Sequence, residues 1–581
     1  MEFSAVYRAS NGSLPSPNGS LIASIVPPRL EIRSAATLQI TRVVNLNPTF
    51  ASKVQFMRWS PLPQSNVIKI GLVSKRRSGI DNSEEEGTFK QRLLLADDES
   101  IQVLDVDDDK WSASIKHGFE GIKNVDFGRS CEEVIIFSDF QTKLTVWNLQ
   151  ARDGRRIEIP NPKFATKGYD YRPCTSHFAL LSRSATQDIV SIHQNTTYRV
   201  SHCIVLPTLD AQGLRWSPCG RWLAVWESPV SSYKVLVYTA DGHLYRTHQN
   251  PECDGLGVKT VEWSPIGDFL TVGGHDGKLC FLNNYTFSPV ISMNHTRTVR
   301  LPGVTVWSEN VLGTRERYYR QVAQPATIPT AASNATDVAT KTGISAMAYS
   351  NPDGTLVATR NDSMPETVWI WSLKLLRPYA VLTHRNPVKT MSWHPTIPEL
   401  LMIQCSLEPT VGNVGDKGNC VYIWCSSWKE PRAVQVPMER ISGSIWAKWI
   451  HTTAPAQCSS SSTVSTSPQP FVSTVDRRSN SPEKDASEKR PMILLGDKEG
   501  FVVGYVEDEP IPDAAWSPID WTAYSPSQAP GQQRPASYFT SDNINSSKSD
   551  KLASVDEQPS GSNERREDDG SIEFRLWKRG Y

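Results

Sequence analysis

The chain has 581 residues, of which 61 are basic and 61 acidic, so its formal charge is zero. Without a basic excess, binding to nucleic acid through the phosphates is disfavoured, and we expect no direct nucleic-acid partner. No apolar run approaches the roughly 20 residues of a membrane-spanning helix, and the amino-terminal region lacks the order of a secretory signal, so we expect a soluble intracellular protein without a membrane partner. The ten cysteines include no CxxC pair, which argues against zinc sites and a disulfide framework.

A repeated unit of an aromatic residue, a Ser-Pro-x-Gly turn and an alternating apolar strand runs through the chain. Proline supplies the fixed φ and glycine the positive φ that such a turn requires. The unit is clearest where WSPCGRWLAVW begins at Trp216 and WSPIGDFLTVGG begins at Trp263. In chain order, we place the anchor residues of the units at Pro15, Trp59, Phe127, Tyr171, Trp216, Trp263, Tyr349, Trp393 and Trp449.

The spacing of these anchors predicts an all-β propeller. Five of the eight steps between anchors are 44 to 47 residues long, close to the roughly 40 to 45 residues of one four-stranded blade. Each blade exposes two apolar faces, so the blades must stack into a ring. We expect one ring of eight or nine blades; if weak units such as that of Tyr171 are not blades, seven remain.

Long steps between anchors predict insertions in the propeller domain, which we assign to residues 1–450. We expect loop insertions at 74–92 and at about 321–343, and a Ser/Pro-rich disordered insertion at 451–490, because these segments are poor in apolar residues that could form a core. Residues 491–508 then return as strands of the last blade. A disordered tail is expected at 522–570, with a possible short strand at 571–581.

Closure of the ring requires a strand that completes the last blade. Glu2 to Arg8 precede the first unit and form one candidate, which would remove two unpaired edges. Ile572 to Leu576, which alternate like a strand, form the second. We favour the amino-terminal candidate.

The sequence lacks the local motifs of common enzymes. It contains no nucleophile elbow, HExxH pair, phosphate loop or dinucleotide fingerprint. His275, in Gly-His-Asp-Gly, could suggest a metal ligand, but a turn residue bonded to the neighbouring backbone is the favoured interpretation. We therefore expect no enzyme and no catalytic, cofactor or metal site, although an enzyme with a site in the central channel remains an alternative that a motif search would miss.

Several segments resemble one family of propeller proteins. These include LRWSPCGRWLAVWES, YTADGHLYRT, VKTVEWSPIGDFLTVGGHDGKLCFLN and, most specifically, LVATRND followed by VWIW at 356–371. Together they resemble the WD repeat-containing protein 8 family of centrosomes and spindle poles, over most of residues 1–450 and about 491–507. No unit ends in the Trp-Asp dipeptide for which WD repeats are named, and the insertions and the tail have no counterpart in the family.

The resemblance implies a function. It suggests a scaffold in the cytoplasm and cytoskeleton, at the spindle pole body or another microtubule-organising centre, and its Ser/Pro-rich insertions suit a fungal member. The implied partners are a coiled-coil microtubule-anchoring protein of the SSX-family-interacting type and a minus-end-directed kinesin. With them, the protein would tether microtubule minus ends and organise the mitotic spindle.

Arg360, Asn361, Asp362 and Ser363 form a polar loop between two strands of their unit. In a structural interpretation, Asp362 bonds turn amides and Arg360 pairs with a neighbouring blade. In the alternative interpretation, the loop contributes to the surface that binds the partner. Both remain open from the sequence.

Two further expectations concern regulation and competing functions. Ser481 precedes a proline and has a lysine three residues later, the order that proline-directed cell-cycle kinases favour, so it is a possible phosphorylation site; an incidental Ser-Pro pair in a charged linker is the alternative. Large rings also resemble propellers of translation initiation factors, which makes binding to ribosomes or RNA a rival function.

Overall fold

A computed structural model describes residues 1–62, 90–117, 120–150, 156–250, 256–312, 316–331, 342–406, 420–438, 444–451 and 490–507. Ser481, the predicted tail at 522–570, the possible strand at 571–581 and the interior of the predicted 451–490 insertion lie outside the described residues. Those expectations stay predictions. Among the described residues, no helix is long and apolar enough to span a membrane.

The described residues form nine blades. The blade strands pair antiparallel and in chain order from the first strand outward, except that the amino-terminal strands complete blade 9 and that blade 7 carries an added parallel pair at its outer edge. The first strands contact each other between blades 2 and 3, 4 and 5, 6 and 7, and 7 and 8, and those of blades 1 and 9 also meet, so the first strands surround the ring axis. The prediction of an all-β propeller is confirmed, with nine as the number of blades. The six-residue helix α1 (Pro48–Lys53) precedes blade 2.

The amino-terminal strands β1 (Glu2–Phe3) and β2 (Tyr7–Arg8) belong to blade 9, and blades 1 to 5 follow along the chain. Their strands are β3 (Ser10–Pro15), β4 (Leu21–Val26), β5 (Arg29–Ser34) and β6 (Ile40–Asn45); β7 (Phe56–Trp59), β8 (Arg92–Ala96), β9 (Ser100–Asp105) and β10 (Ser112–Lys116); β11 (Ile122–Phe127), β12 (Glu133–Ser138), β13 (Lys143–Asn148) and β14 (Arg156–Pro160); β15 (Tyr169–Tyr171), β16 (Phe178–Ser184), β17 (Gln187–His193) and β18 (Val200–Val205); β19 (Ala211–Trp216), β20 (Trp222–Glu227), β21 (Lys234–Thr239) and β22 (Leu244–Gln249).

Four additional strands separate blade 6 from blade 7, and blades 8 and 9 complete the ring. In chain order, the strands are β23 (Val258–Trp263), β24 (Phe269–Gly274), β25 (Lys278–Asn283) and β26 (Pro289–Asn294); the additional β27 (Thr298–Val299), β28 (Thr305–Leu312), β29 (Glu316–Gln321) and β30 (Ala326–Thr327); β31 (Ile344–Tyr349), β32 (Leu356–Asn361), β33 (Thr367–Ser372) and β34 (Arg377–Thr383); β35 (Val388–Trp393), β36 (Leu400–Cys405), β37 (Cys420–Cys425) and β38 (Arg432–Gln435); β39 (Trp446–Ile450), β40 (Met492–Gly496) and β41 (Gly500–Tyr505).

The predicted anchors lie at the carboxyl ends of the first strands, where four tryptophans link neighbouring blades. The indole N–H of Trp263 donates to the carbonyl of Arg215 in the preceding blade at 3.3 Å, and Trp393 bonds to Ala348 at 2.9 Å in the same way. Trp59 and Trp449 repeat the bond to the blade before them. A tryptophan at this position therefore contributes apolar area and also satisfies a backbone carbonyl of its neighbour.

The serine that follows the anchor closes the first turn of the blade. The buried hydroxyl of Ser217 accepts the backbone N–H of Trp222 at 3.0 Å, and that of Ser264 accepts the N–H of Phe269 at the same distance. Ser16, Ser60 and Ser350 make the equivalent bond in their blades. These hydroxyls are structural acceptors in the blades.

The amino-terminal candidate closes the ring. Glu2 and Phe3 pair antiparallel with Tyr505 and Gly504, and β2 continues the pairing along β41. Ser4 bridges the two short strands, because its N–H donates to Val503 and its hydroxyl accepts the N–H of the same residue. The outer edge of blade 9 is therefore covered by the start of the chain.

Two predicted loop boundaries are wrong. The expected insertion at 74–92 ends too late, because Arg92 begins β8, where its buried guanidinium pairs with Asp105. The expected loop at about 321–343 is partly structured, since Ala326 and Ile328 are buried in the apolar core of blade 7. The segment is of mixed composition, and its apolar side chains pack against the ring.

A hairpin that precedes this segment, formed by β28 and β29, enlarges blade 7 to six strands. Strand β28 pairs in parallel with β34, the fourth strand of the blade, and β29 pairs with β28. Parallel pairing at this edge was not predicted from the repeat, because the hairpin follows no Ser-Pro turn.

Candidate interaction surface

Antiparallel topology assigns the loops of every blade to two faces of the ring. One face, here called the Ser-Pro face, carries the turns between first and second strands, such as the turn at 264–268, and those between third and fourth strands, such as the turn at 373–376. The other, here the linker face, carries the loops between second and third strands together with the connections between blades. The loops at 228–233, 275–277 and 362–366 lie on the linker face.

The predicted loop Arg360 to Ser363 lies on the linker face, at the end of β32. Arg360 donates through Nε to the Ser345 hydroxyl at 2.9 Å and through a terminal nitrogen to the backbone carbonyl of Val388, in the first strand of blade 8. The other terminal nitrogen lies 3.1 Å from a carboxylate oxygen of Asp362. Arg360 therefore holds blade 8 against blade 7.

Asp362 makes the matching connection to blade 6. Its carboxylate lies 2.6 Å from the ammonium of Lys259, which also donates to the carbonyl of Thr342 at 2.5 Å. Burial alone would raise the pKa of Asp362, but hydrogen bonds from Lys259 and Ser345 and the charge of Arg360 outweigh burial and lower that pKa. The loop is thus part of a network of charges that spans three blades.

The contacts of the loop agree with one part of the structural interpretation and differ from the other. Arg360 pairs with a neighbouring blade, as the structural interpretation expected, but Asp362 bonds cations rather than the turn amides. Asn361 performs that role, since its side-chain oxygen accepts the N–H and the hydroxyl of Ser363. Contact with a partner remains a prediction, and the side chains of Arg360 and Asp362 keep 21% and 26% of their surface exposed for it.

His275 lies in the loop after β24, and its backbone N–H donates to the carbonyl of Gly257 at 3.0 Å. Burial lowers the pKa of its imidazole, and the charge of Lys259 lowers it further, so the ring is neutral near pH 7. Across the described residues, no group of three or more His, Cys, Asp and Glu side chains is arranged to hold a metal ion.

A set of charged residues around the ring axis was missed by the sequence reasoning. Each lies one position before an anchor, on the first strand of its blade, and several of them influence one another electrostatically. The six residues are Arg58, Asp126, Asp170, Arg215, Glu262 and Lys448. The signal was present in the sequence, because every anchor identifies the residue before it.

These axial charges are largely engaged with the ring itself. Asp170 accepts the backbone N–H of Trp216 in the next blade at 2.8 Å, and burial raises the pKa of Asp170. Lys448 donates to the carbonyl of Ser13 at 3.0 Å, and burial lowers its pKa to about 8. Partners on adjacent blades compensate for the burial of these charges.

The sequence is similar to those of known WD-repeat proteins. No family model matches the chain. The mouse WD repeat-containing protein WRAP73 is 28% identical over 445 residues, which cover 73% of this chain and 86% of the mouse protein. An uncharacterized WD repeat-containing protein of Schizosaccharomyces pombe is 27% identical over 448 residues, covering 75% of this chain and 85% of the yeast protein.

The chain is an all-β propeller of nine blades that is similar in sequence to WD-repeat proteins. Among solved structures, a crystal structure of the eukaryotic initiation factor aligns with a TM-score of 0.47 and 9% identity, covering 74% of this chain and 90% of that chain. At this TM-score the likeness supports no conclusion about function. WD-repeat propellers present their loops on a closed ring. In general terms, this chain is a scaffold for protein interactions.

Proposed function

We propose that this WD-repeat protein is a non-enzymatic scaffold of the spindle pole body or centrosome. The observation that carries the scaffold role is the closed nine-blade ring, in which cross-blade bonds such as that of Arg360 to Val388 fix the loops of the linker face. Fixed loops reduce the ordering entropy that a protein partner must overcome on binding. The location rests on the resemblance of segments such as LVATRND to the WD repeat-containing protein 8 family.

The proposed partners are a coiled-coil microtubule-anchoring protein and a minus-end-directed kinesin, with which the scaffold tethers microtubule minus ends. The proposed location is therefore the cytoskeleton at a microtubule-organising centre. The proposed cell is a fungal one. A formal charge of zero supports a protein partner over nucleic acid.

Location in dividing cells tests the proposal. A fluorescent fusion of the full chain should form two foci at the poles of the mitotic spindle, and the coiled-coil protein should co-purify with it. Sucrose-gradient sedimentation tests the rival in parallel. Association with ribosomal subunits and absence from the poles would overturn the proposal in favour of an initiation-factor-like function.

Alanine at Arg360 and Asn361 tests the predicted contribution of the loop to partner binding. We expect a folded ring with reduced co-purification of the coiled-coil protein, because Arg360 is partly exposed on the linker face and the buried Asn361 holds the turn at Ser363. Lys374→Ala, an exposed change on the Ser-Pro face, is the matched control. If the coiled-coil protein co-purified fully with the folded double variant, the loop would have only a structural role.

Ser481 is the proposed point of regulation. Phosphorylation would add a charge of about −2 to its segment and alter the docking of a partner. Phosphopeptide mass spectrometry of the protein from mitotically arrested cells should detect the modification, and an unmodified Ser481 would argue against it.

A further inference from the structure

The linker face contains a cavity of about 290 Å³ between the connection that precedes blade 4 and the loops of blades 5 and 6. Phe164, Trp226, Pro229 and Val258 provide its apolar wall. Lys167, Gln212, Lys259 and His275 provide the polar part. A wall of this mixed kind accommodates an apolar side chain beside a charged or polar one.

The cavity is built by specific packing. Trp226 lies against Gly213, where an added Cβ would come within 2.4 Å of the indole ring, so only glycine permits the ring to occupy this position. The connection that carries Lys167 is fixed by its own carbonyl, which accepts the N–H of Leu214 at 3.0 Å. The carbonyl of Pro229 accepts the N–H of Gly257 at 2.8 Å. Backbone bonds therefore hold the walls before any ligand arrives.

Two of the side chains that line the cavity, Lys167 and Lys259, are cations, and none of them is a carboxylate. Lys259 already pairs with Asp362. Lys167 is exposed and makes no ion pair with a described residue, so its charge is available to an incoming carboxylate. His275 is neutral for the reason given above and can act as a hydrogen-bond partner.

An exposed apolar pair lies beside the cavity. Leu209 is 73% exposed and Val230 is 81% exposed, although each belongs to a loop with fixed backbone. The buried carboxylate of Glu227 joins the two loops, because it accepts the N–H of Leu209 at 3.1 Å and that of Asp210 at 2.7 Å. The N–H of Ser228 returns a bond to the carbonyl of Asp210 at 2.8 Å. Large apolar side chains held out on ordered loops are typical of a protein-binding surface.

We infer that this surface, formed by the cavity and the Leu209–Val230 pair, binds a segment of a partner protein in which an acidic side chain is flanked by bulky apolar side chains. The carboxylate would meet Lys167, one apolar side chain would enter the cavity against Trp226, and another would cover Leu209 and Val230. Charge complementarity favours an acidic segment, and the exposed apolar pair favours protein over nucleic acid. The inference rests on one part of the proposed function, namely that the ring works by binding proteins.

Peptide display on the full chain tests the inference. A random library of 16-residue peptides is selected on the wild-type protein, and the affinities of enriched peptides are measured by fluorescence polarisation. We expect enrichment of Asp or Glu next to Leu, Ile or Phe. Lys167→Glu and Val230→Glu should each weaken binding about tenfold or more, because one reverses the charge and the other places a charge in the apolar contact.

Matched controls lie on the Ser-Pro face. Lys374→Glu makes the same charge reversal at an exposed lysine, and Ile266→Glu makes the same polar change at a residue that is 60% exposed. Both should bind the peptides within about twofold of the wild type. All four changes are at surface positions, and thermal unfolding verifies that each variant is folded.

Three results would overturn the inference: no enriched peptide, enriched peptides without acidic residues, or binding unaffected by Val230→Glu. Tighter binding of a single-stranded RNA probe than of the peptides would assign the surface to nucleic acid instead. Pole location is scored separately in cells. If the wild type reaches the poles but the peptide result is negative, only the assignment of this surface is wrong; if the peptides bind but the protein does not reach the poles, only the proposed location is wrong.

Discussion

The seam where the ring closes and the junction between blades 7 and 8 join neighbouring parts of the ring by opposite means. At the seam, the short strands β1 and β2 pair along β41 through backbone bonds, and Tyr7 stacks on Phe501 with ring centroids 5.4 Å apart. The ion pair of Arg490 with Glu2 there is exposed and contributes little.

At the junction of blades 7 and 8, buried side chains make the connection. Glu309 on the added hairpin accepts the guanidinium of Arg317 at 2.6 Å, the hydroxyl of Tyr422 in blade 8 at 2.7 Å and the N–H of Arg385 at 2.8 Å. Backbone pairing tolerates many side chains, whereas a buried carboxylate depends on every one of its partners. The comparison therefore predicts that single substitutions harm the junction more than the seam.

The largest expected effect is that of Glu309→Ala. The change leaves Arg317 and Tyr422 buried without their shared acceptor, which should destabilise the protein by about 3–5 kcal/mol. Urea unfolding followed by tryptophan fluorescence measures the loss. Glu316→Ala, at an exposed position on the same hairpin, should stay within about 0.5 kcal/mol of the wild type. A loss below about 1 kcal/mol for Glu309→Ala would contradict the comparison.

Acid should weaken the same junction through His384. Burial lowers the pKa of this imidazole to about 4, and the nearby carboxylate of Glu309 opposes that shift only in part. The unfolded chain binds a proton near its ordinary pKa of about 6.5, so stability is lost as the pH falls from about 6.5 towards 4.

The partners of His384, the hydroxyl of Tyr319 and the ring of Tyr422, do not outweigh the cost of burying a charge on the imidazole. The wild type should lose about 2–3 kcal/mol more than His384→Gln between pH 7 and 4.5. Unfolding midpoints at both pH values give this difference, and His243→Gln, at an exposed histidine, should follow the wild type. Equal acid sensitivity of wild type and His384→Gln would assign the effect to other groups.

A smaller effect is expected at the seam. Tyr7→Ala removes the stack on Phe501 and the contact with the Arg33 guanidinium, 4.7 Å from the Tyr7 ring. Because the residue is only half-buried and its backbone bonds remain, we expect a loss of about 2 kcal/mol. Thermal unfolding compares it with Val6→Ala, whose side chain is exposed. A loss as large as that of Glu309→Ala would remove the distinction between the two sites.

The smallest effect concerns the inner side of the blade 7–8 junction. Trp393→Phe deletes the indole N–H that donates to the carbonyl of Ala348. Trp216→Phe is the matched control, since its indole nitrogen has no hydrogen-bond partner among the described residues. The first change should cost about 1 kcal/mol more than the second in urea unfolding. Equal losses would mean that the indole bond adds nothing beyond ring packing.

The sequence predicted the repeat because each blade obeys local rules. An anchor such as Trp263 and the serine after it perform the same two tasks in several blades, so spacing alone located the first strands. Glu309 and Arg317 could not be predicted, because they lie in an insertion without the repeat and meet Tyr422 only through the fold. The partners of Arg360 were likewise partly predictable: a bond to a neighbouring blade was expected, but the Lys259–Asp362 pair joins residues 103 positions apart and left no signal in spacing.

The pairing of Ser4 with Val503 has a consequence for synthesis. The two residues are 499 positions apart, so at about 5–20 residues per second the first strand emerges roughly half a minute to more than a minute before its partner. During that interval the growing chain presents Phe3 and Tyr7 without a sheet to join, and the last blade is also the last to acquire all its strands. If translation stalled late, the nascent chain would therefore contain the sequence of eight blades in an open arc rather than a closed ring.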